Sequence, residues 1–237
     1  MIRATLARFV EVLRDGFRIW CLAPVIPLLI VIPEALQHVA EVRIGMFESR
    51  EVARALADDP RRMVWGYLKL AGLALAILAS LRFWAAREQG LTWYSPRGVR
   101  WKALGLALML ILLTSLPELL LRSVLDPAIL AYITLAIPLA TLPLIAYLAG
   151  ALIGDPNLNL RGVFRTGWWP TLRMVLFAAA AWVPLQWLHG QNHAWALGAS
   201  DPVVWGLMAF DSLVVGLLAT IAGTAFHHGY RLPRKEP

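Results

Sequence analysis

Residues 101–121 read WKALGLALMLILLTSLPELLL. A helix needs about 20 apolar residues to cross roughly 30 Å of hydrocarbon. In lipid every backbone polar group must be paired within the segment, so a run of this length reads as helix rather than strand. Working outward, five further runs have similar length and character: Phe17–His38, Val64–Trp84, Ile129–Ile153, Trp168–Leu188 and Val203–Phe226. The expected fold is all-α: a polytopic membrane helical bundle of six transmembrane helices forming a single membrane domain over residues 17–237.

Composition supports this class. The 237 residues are 59% hydrophobic and 16% charged, against about 25% charged in soluble domains. The net charge of +7 is carried by basic residues flanking the apolar runs. The expected partners are therefore the phospholipid bilayer with its anionic headgroups and other membrane subunits, not nucleic acid. The lone Cys21 excludes an intramolecular disulfide and a thiolate metal site, and it reads as a small packing residue. A cleaved signal peptide is not expected, because the N-terminal stretch is long and mixed in charge.

Basic residues in short loops stay on the cytoplasmic side. Arg3, Arg8, Arg14 and Arg18 precede the first span; Arg82, Arg87, Arg97, Arg100 and Lys102 follow the second; Arg161, Arg165 and Arg173 surround the entry to the fifth; Arg231, Arg234 and Lys235 close the chain. These make 15 of the 22 basic residues. The pattern places both termini on the cytoplasmic side of the membrane. Residues 1–16 are amphipathic, with Ile2, Leu6, Phe9, Val10 and Leu13 on one face, as in a helix lying in the interface. Between the first two spans, Glu41–Asp59 reads as a helix extension or surface helix that stops at Asp58-Asp59-Pro60.

The three odd spans have similar entries: Arg14 to Arg18, Arg97 to Arg100 and Arg161 to Arg165, followed by Trp20, Trp101 and Trp168-Trp169. Pro33-Glu34, Pro117-Glu118 and Pro184-Leu185-Gln186 come later in the same spans. This pattern suggests a threefold repeat of helical hairpins; the alternative is three independent spans whose Arg and Trp flanks are ordinary interface anchors. Arg14, Arg18, Trp20, Arg97, Arg100, Trp101, Arg165, Trp168 and Trp169 are the expected interfacial and lipid anchors.

The six spans, the amphipathic start, the large first outer gap and the entry Phe164-Arg165-Thr-Gly-Trp-Trp-Pro-Thr-Leu-Arg173 resemble the YciC family of bacterial inner-membrane proteins. The resemblance covers most of the chain at the level of layout. It implies an integral inner-membrane protein with no established chemical activity, and it supplies no site residues.

Ionisable groups inside spans are costly and are default site candidates. Glu34, Glu118 and Asp211 fall in the outer half of the membrane, with Lys69, Arg122, His38 and Gln186 near the same level. The first reading of this polar cluster is structural glue. The second is a water-filled vestibule for a solute, proton or lipid headgroup, and the third a metal or acid–base site. Glu34 and His38 are four residues apart and can share a helix face, but His-Glu-x-x-His is absent and His189 and His193 have no such neighbour in the sequence. Gly72, Ala76 and Ala79, and Gly216, Thr220 and Gly223, are expected interhelical seams. Pro138 and Pro143 should bend the fourth span. Phosphate loops, dinucleotide fingerprints and nucleophile elbows are absent. No catalytic residue, cofactor or metal is therefore expected. The sequence favours a non-enzymatic accessory, assembly or lipid-organising subunit, then a transporter or channel, then an intramembrane enzyme.

Overall fold

A computed structural model describes residues 2–230, with side chains from residue 5 onward. Ile2 and Arg3 of the amphipathic face, and the basic tail Arg231, Arg234 and Lys235, lie outside the described side chains. Every element among the described residues is a helix: α1 (Ile2–Leu22), α2 (Val25–Arg43), α3 (Arg50–Ala55), α4 (Pro60–Glu88), α5 (Trp101–Leu121), α6 (Pro127–Ala140), α7 (Leu144–Ile153), α8 (Leu160–Thr166), α9 (Trp168–Ala196) and α10 (Asp201–Tyr230). Five of them, α2, α4, α5, α9 and α10, are long and apolar enough to cross a membrane. The pair α6 and α7 makes a sixth candidate if counted as one span bent by 41°. The architecture is all-helical among the described residues, with five or six candidate spans.

Local chemistry explains where the helices differ from the expected spans. The first run breaks at Ala23-Pro24, so the amphipathic helix extends to Leu22 rather than ending at residue 16, and the apolar span starts at Val25. Pro24 and Pro27 remove two amide donors close together, while the Ala23 amide still closes α1 on the Ile19 carbonyl at 2.8 Å. Between α2 and α4 only α3 forms, with Ser49 accepting from the Val52 amide at 3.2 Å. Pro60 starts α4, at a helical position where a proline's missing donor costs nothing. Asp59 precedes it and accepts from the Arg61 backbone at 2.8 Å and from its guanidinium at 2.8 and 3.0 Å; that guanidinium holds the Asp59 carboxyl below its ordinary range. The bend expected from Pro138 and Pro143 falls at Thr141–Pro143, between α6 and α7.

The chain divides into two compact units, one comprising Met1–Ser80 with Leu176–Ala225 and the other Leu81–Val175 with Phe226–Pro237. In the first, Val12 of α1 is fully buried with Phe177, Ala181, Ile221 and Ala225. A Cβ on Gly16 would meet the Ile221 side chain at 2.7 Å. So one face of α1 packs on α9 and α10, while Leu6, Val10 and Phe17 stay exposed on another. Cys21 near its end is exposed rather than packed. A second core joins Ile30, Ala76, Val215 and Ala219, and a third joins Phe47, Ala196, Val204 and Met208. The expected seams are present: a Cβ on Gly72 would strike the Leu29 carbonyl, and one on Gly223 the Ile77 carbonyl.

In the second unit α5 packs on α6 and α7. Arg82 is buried and donates to the carbonyls of Arg97 at 2.6 Å, Ser95 at 3.2 Å and Leu152 at 3.3 Å. Tyr230 donates to Asp155 Oδ2 at 2.7 Å. The basic residues here brace loops as well as flanking spans.

Candidate functional site

On α2, Glu34, Gln37, His38 and Glu41 follow the i, i+3, i+4, i+7 spacing that lines one helix face, and all four are buried. On α9, His189, Asn192 and His193 repeat the same spacing. Asp211 of α10 is fully buried. These three faces meet within the first unit, joined by Arg62 and Lys69 of α4.

Asp211 is the hub. Its Oδ2 lies 2.6 Å from His189 Nδ1, 3.1 Å from His38 Nε2 and 3.6 Å from His193 Nε2. Its Oδ1 accepts from Asn192 Nδ2 at 2.8 Å. His38 bridges the cluster: Nδ1 faces Glu41 Oε2 at 2.8 Å, and Nε2 faces Glu34 Oε1 at 3.3 Å as well as Asp211. Glu41 Oε1 accepts from Arg62 Nε at 2.7 Å and Gln37 Nε2 at 2.9 Å. Glu34 Oε1 accepts from Lys69 Nζ at 3.2 Å. The His189 and His193 rings meet edge to face at 4.9 Å, and His38 and His193 lie 5.2 Å apart.

Three carboxylates face two permanent cations, Lys69 and Arg62, which leaves a place for one more positive charge. Both ring nitrogens of His38 face carboxylate oxygens, and only the imidazolium offers a donor at each. Buried carboxylates are tolerated only when paired and hydrogen-bonded in this way. Even so, Glu34 Oε2, Gln37 Oε1 and Asn192 Oδ1 have no partner among the described residues.

Of the residues expected in the cluster, Glu34, His38, Lys69 and Asp211 come together. Gln186 is exposed on α9. Glu118 and Arg122 belong to the second unit, exposed along a shallow recess with Pro127, Leu130 and Thr134. Counting along a span assigns Glu118 and Arg122 a level but does not specify which way their helix faces. Sequence reasoning missed Glu41, left at the start of the outer segment Glu41–Asp59, and it also missed Arg62, Asn192 and His193. The 3-1-3 spacing from Glu34 to Glu41 was the legible signal. His189 and His193 lacked a neighbour in sequence, yet both reach Asp211 across helices.

The expected anchors divide. Trp101, Trp168 and Trp169 are exposed, as are Arg97 and Arg165. Arg14 and Arg18 are exposed and both point to Asp15, at 3.3 and 3.5 Å. Trp20 instead donates to Thr220 Oγ1 at 3.2 Å, and Arg100 donates to the carbonyls of Asp155 and Leu158, each at 2.8 Å. No protein-family model, curated protein or solved structure matches the chain, which leaves the site's own chemistry to indicate its role.

Proposed function

We propose that this chain is a multi-pass protein of a bacterial inner membrane, with both termini cytoplasmic, that binds a cation at the His–carboxylate centre and passes it across as a carrier does. One observation supports this reading above the others: three imidazoles from two helices converge on one oxygen of the fully buried Asp211. Structural glue needs one donor per acceptor. Apolar side chains of similar volume would hold the helices at least as well, since a buried ionic network costs much of what it returns. Three convergent rings instead make a binding geometry. The centre is also reachable, because His189, His193, Lys69 and Arg62 keep 17%, 29%, 21% and 23% of their side-chain surface.

The layout resemblance to the YciC family and the basic-residue pattern support the inner-membrane assignment. The three Arg- and Trp-containing entries support three hairpins, with Pro33, Pro117 and Pro184 each inside a long helix. A second reading, an accessory or lipid-organising subunit, draws on the exposed Trp101, Trp168 and Trp169.

Reconstitution into liposomes separates the two. The carrier reading expects entry of at least one of Zn²⁺, Mn²⁺, Na⁺ or protons, reported by trapped indicator dyes, and loss of that entry in Asp211→Asn. Tight vesicles with no entry of any of the four, or equal entry through Asp211→Asn, would defeat it and leave the accessory role.

A further inference from the structure

The geometry points to a divalent first-row transition metal of the zinc class as the cation of this centre, held by His189 Nδ1, His193 Nε2 and Asp211 Oδ2. This deepens the carrier reading and rests on it only for what becomes of the ion.

The ligand atoms of these three residues lie within 4.8 Å of one another. Asp211 Oδ2 is 2.6 Å from His189 Nδ1 and 3.6 Å from His193 Nε2. Donor atoms on a four-coordinate ion with bonds of about 2.0–2.1 Å sit about 3.3 Å apart, and the two distances bracket that value. His189 and His193 are four residues apart on α9, so both rings leave the same face. Two imidazoles and one carboxylate suit Zn²⁺ and its neighbours, whereas Mg²⁺ and Ca²⁺ take oxygen ligands. Three protein ligands leave a fourth position open, as an exchangeable ion requires. His38 Nε2, 3.1 Å from the same Asp211 oxygen, lies beside it.

A second observation is independent of the ligand set. The cluster already contains the outer supports a metal site uses. Asn192 Nδ2 fixes Asp211 through Oδ1 at 2.8 Å and leaves Oδ2 for the ion. His38 is oriented by Glu41 at 2.8 Å, the carboxylate–histidine arrangement that aims a ring nitrogen at a metal. Glu34, fully buried with Oε1 on His38, keeps Oε2 without a partner among the described residues. A divalent ion would displace the second proton of His38 and take over the positive charge that Lys69 and Arg62 leave missing, with neutral His38 still donating from Nδ1 to Glu41.

The full chain, purified in detergent and stripped with a chelator, is dialysed against Zn²⁺ and, separately, Co²⁺. One Zn²⁺ per chain is expected, with an intense visible Co²⁺ spectrum of low coordination number. Asn192→Ala should weaken binding by about 10–100-fold. His193→Gln alters a partly exposed ring, so it should keep its elution volume and unfolding temperature while losing the ion; it carries the test if Asp211→Asn does not fold. Failure of the wild-type chain to bind Zn²⁺ stoichiometrically overturns the inference, as does binding that survives both His189→Gln and His193→Gln. Zinc bound but not carried into liposomes overturns the carrier reading alone. Another cation carried with no zinc bound overturns the metal alone.

Discussion

At the level of single residues, the centre has a hierarchy set by burial. Asp211 is fully enclosed and serves three imidazoles and an amide. Removing one member of a buried charged network strands the others, at about 3–5 kcal/mol. Asp211→Ala should therefore lower stability by about that amount in thermal unfolding of the detergent-solubilised protein. His193→Gln, with 29% of its side chain exposed, should cost less than about 1 kcal/mol. Equal losses would mean that Asp211 is not the hub. Cys21 gives a second residue-scale test. It is exposed at the end of α1, so a maleimide should label the folded protein without denaturant. Protection would show that this part of α1 is covered. Sequence reading had placed Cys21 inside a span, because hydropathy runs smoothly through Ala23-Pro24 and does not register the two prolines that separate α1 from α2.

At the level of elements, close approach distinguishes one glycine from another. A Cβ on Gly72 would strike the Leu29 carbonyl, backbone that cannot swing away, whereas a Cβ on Gly190 of α9 meets nothing. Gly72→Val should cost about 1–3 kcal/mol by overpacking. Gly190→Ala should stabilise by about 0.5–1 kcal/mol, because alanine loses less backbone freedom in a helix. Unfolding midpoints for the pair check both signs. The Gly72 seam was readable from small-residue spacing. Its partner was not, because spacing marks the face of a helix and not what packs on it. The same holds for α1. Its amphipathic pattern was plain, but the buried face is the one bearing Val12 and Ile19, not the one bearing Leu6 and Val10. Ile19→Ala should cost about 2–5 kcal/mol, while Val10→Ala should stay within about 0.5 kcal/mol.

For the whole molecule, the proposed sidedness rests on basic residues alone, and labelling decides it. In a Cys21→Ala background, Glu51→Cys and Tyr94→Cys each put a thiol at an exposed loop or short-helix position. A membrane-impermeant reagent on intact cells should label the first and should reach the second only after permeabilisation. The reverse pattern would invert the topology. What the sequence determined by itself is the helical, membrane-compatible architecture: run length, hydropathy and the need to pair every backbone group in lipid leave helices as the economical solution. Only the tertiary structure decided that Glu34, His38, Lys69 and Asp211 form one centre with Glu41, Arg62, His189, Asn192 and His193, while Gln186 stays exposed and Glu118 and Arg122 belong to the other compact unit. Helix–helix contact depends on rotation about each axis and on the choice of neighbour, and a one-dimensional hydropathy pattern specifies neither.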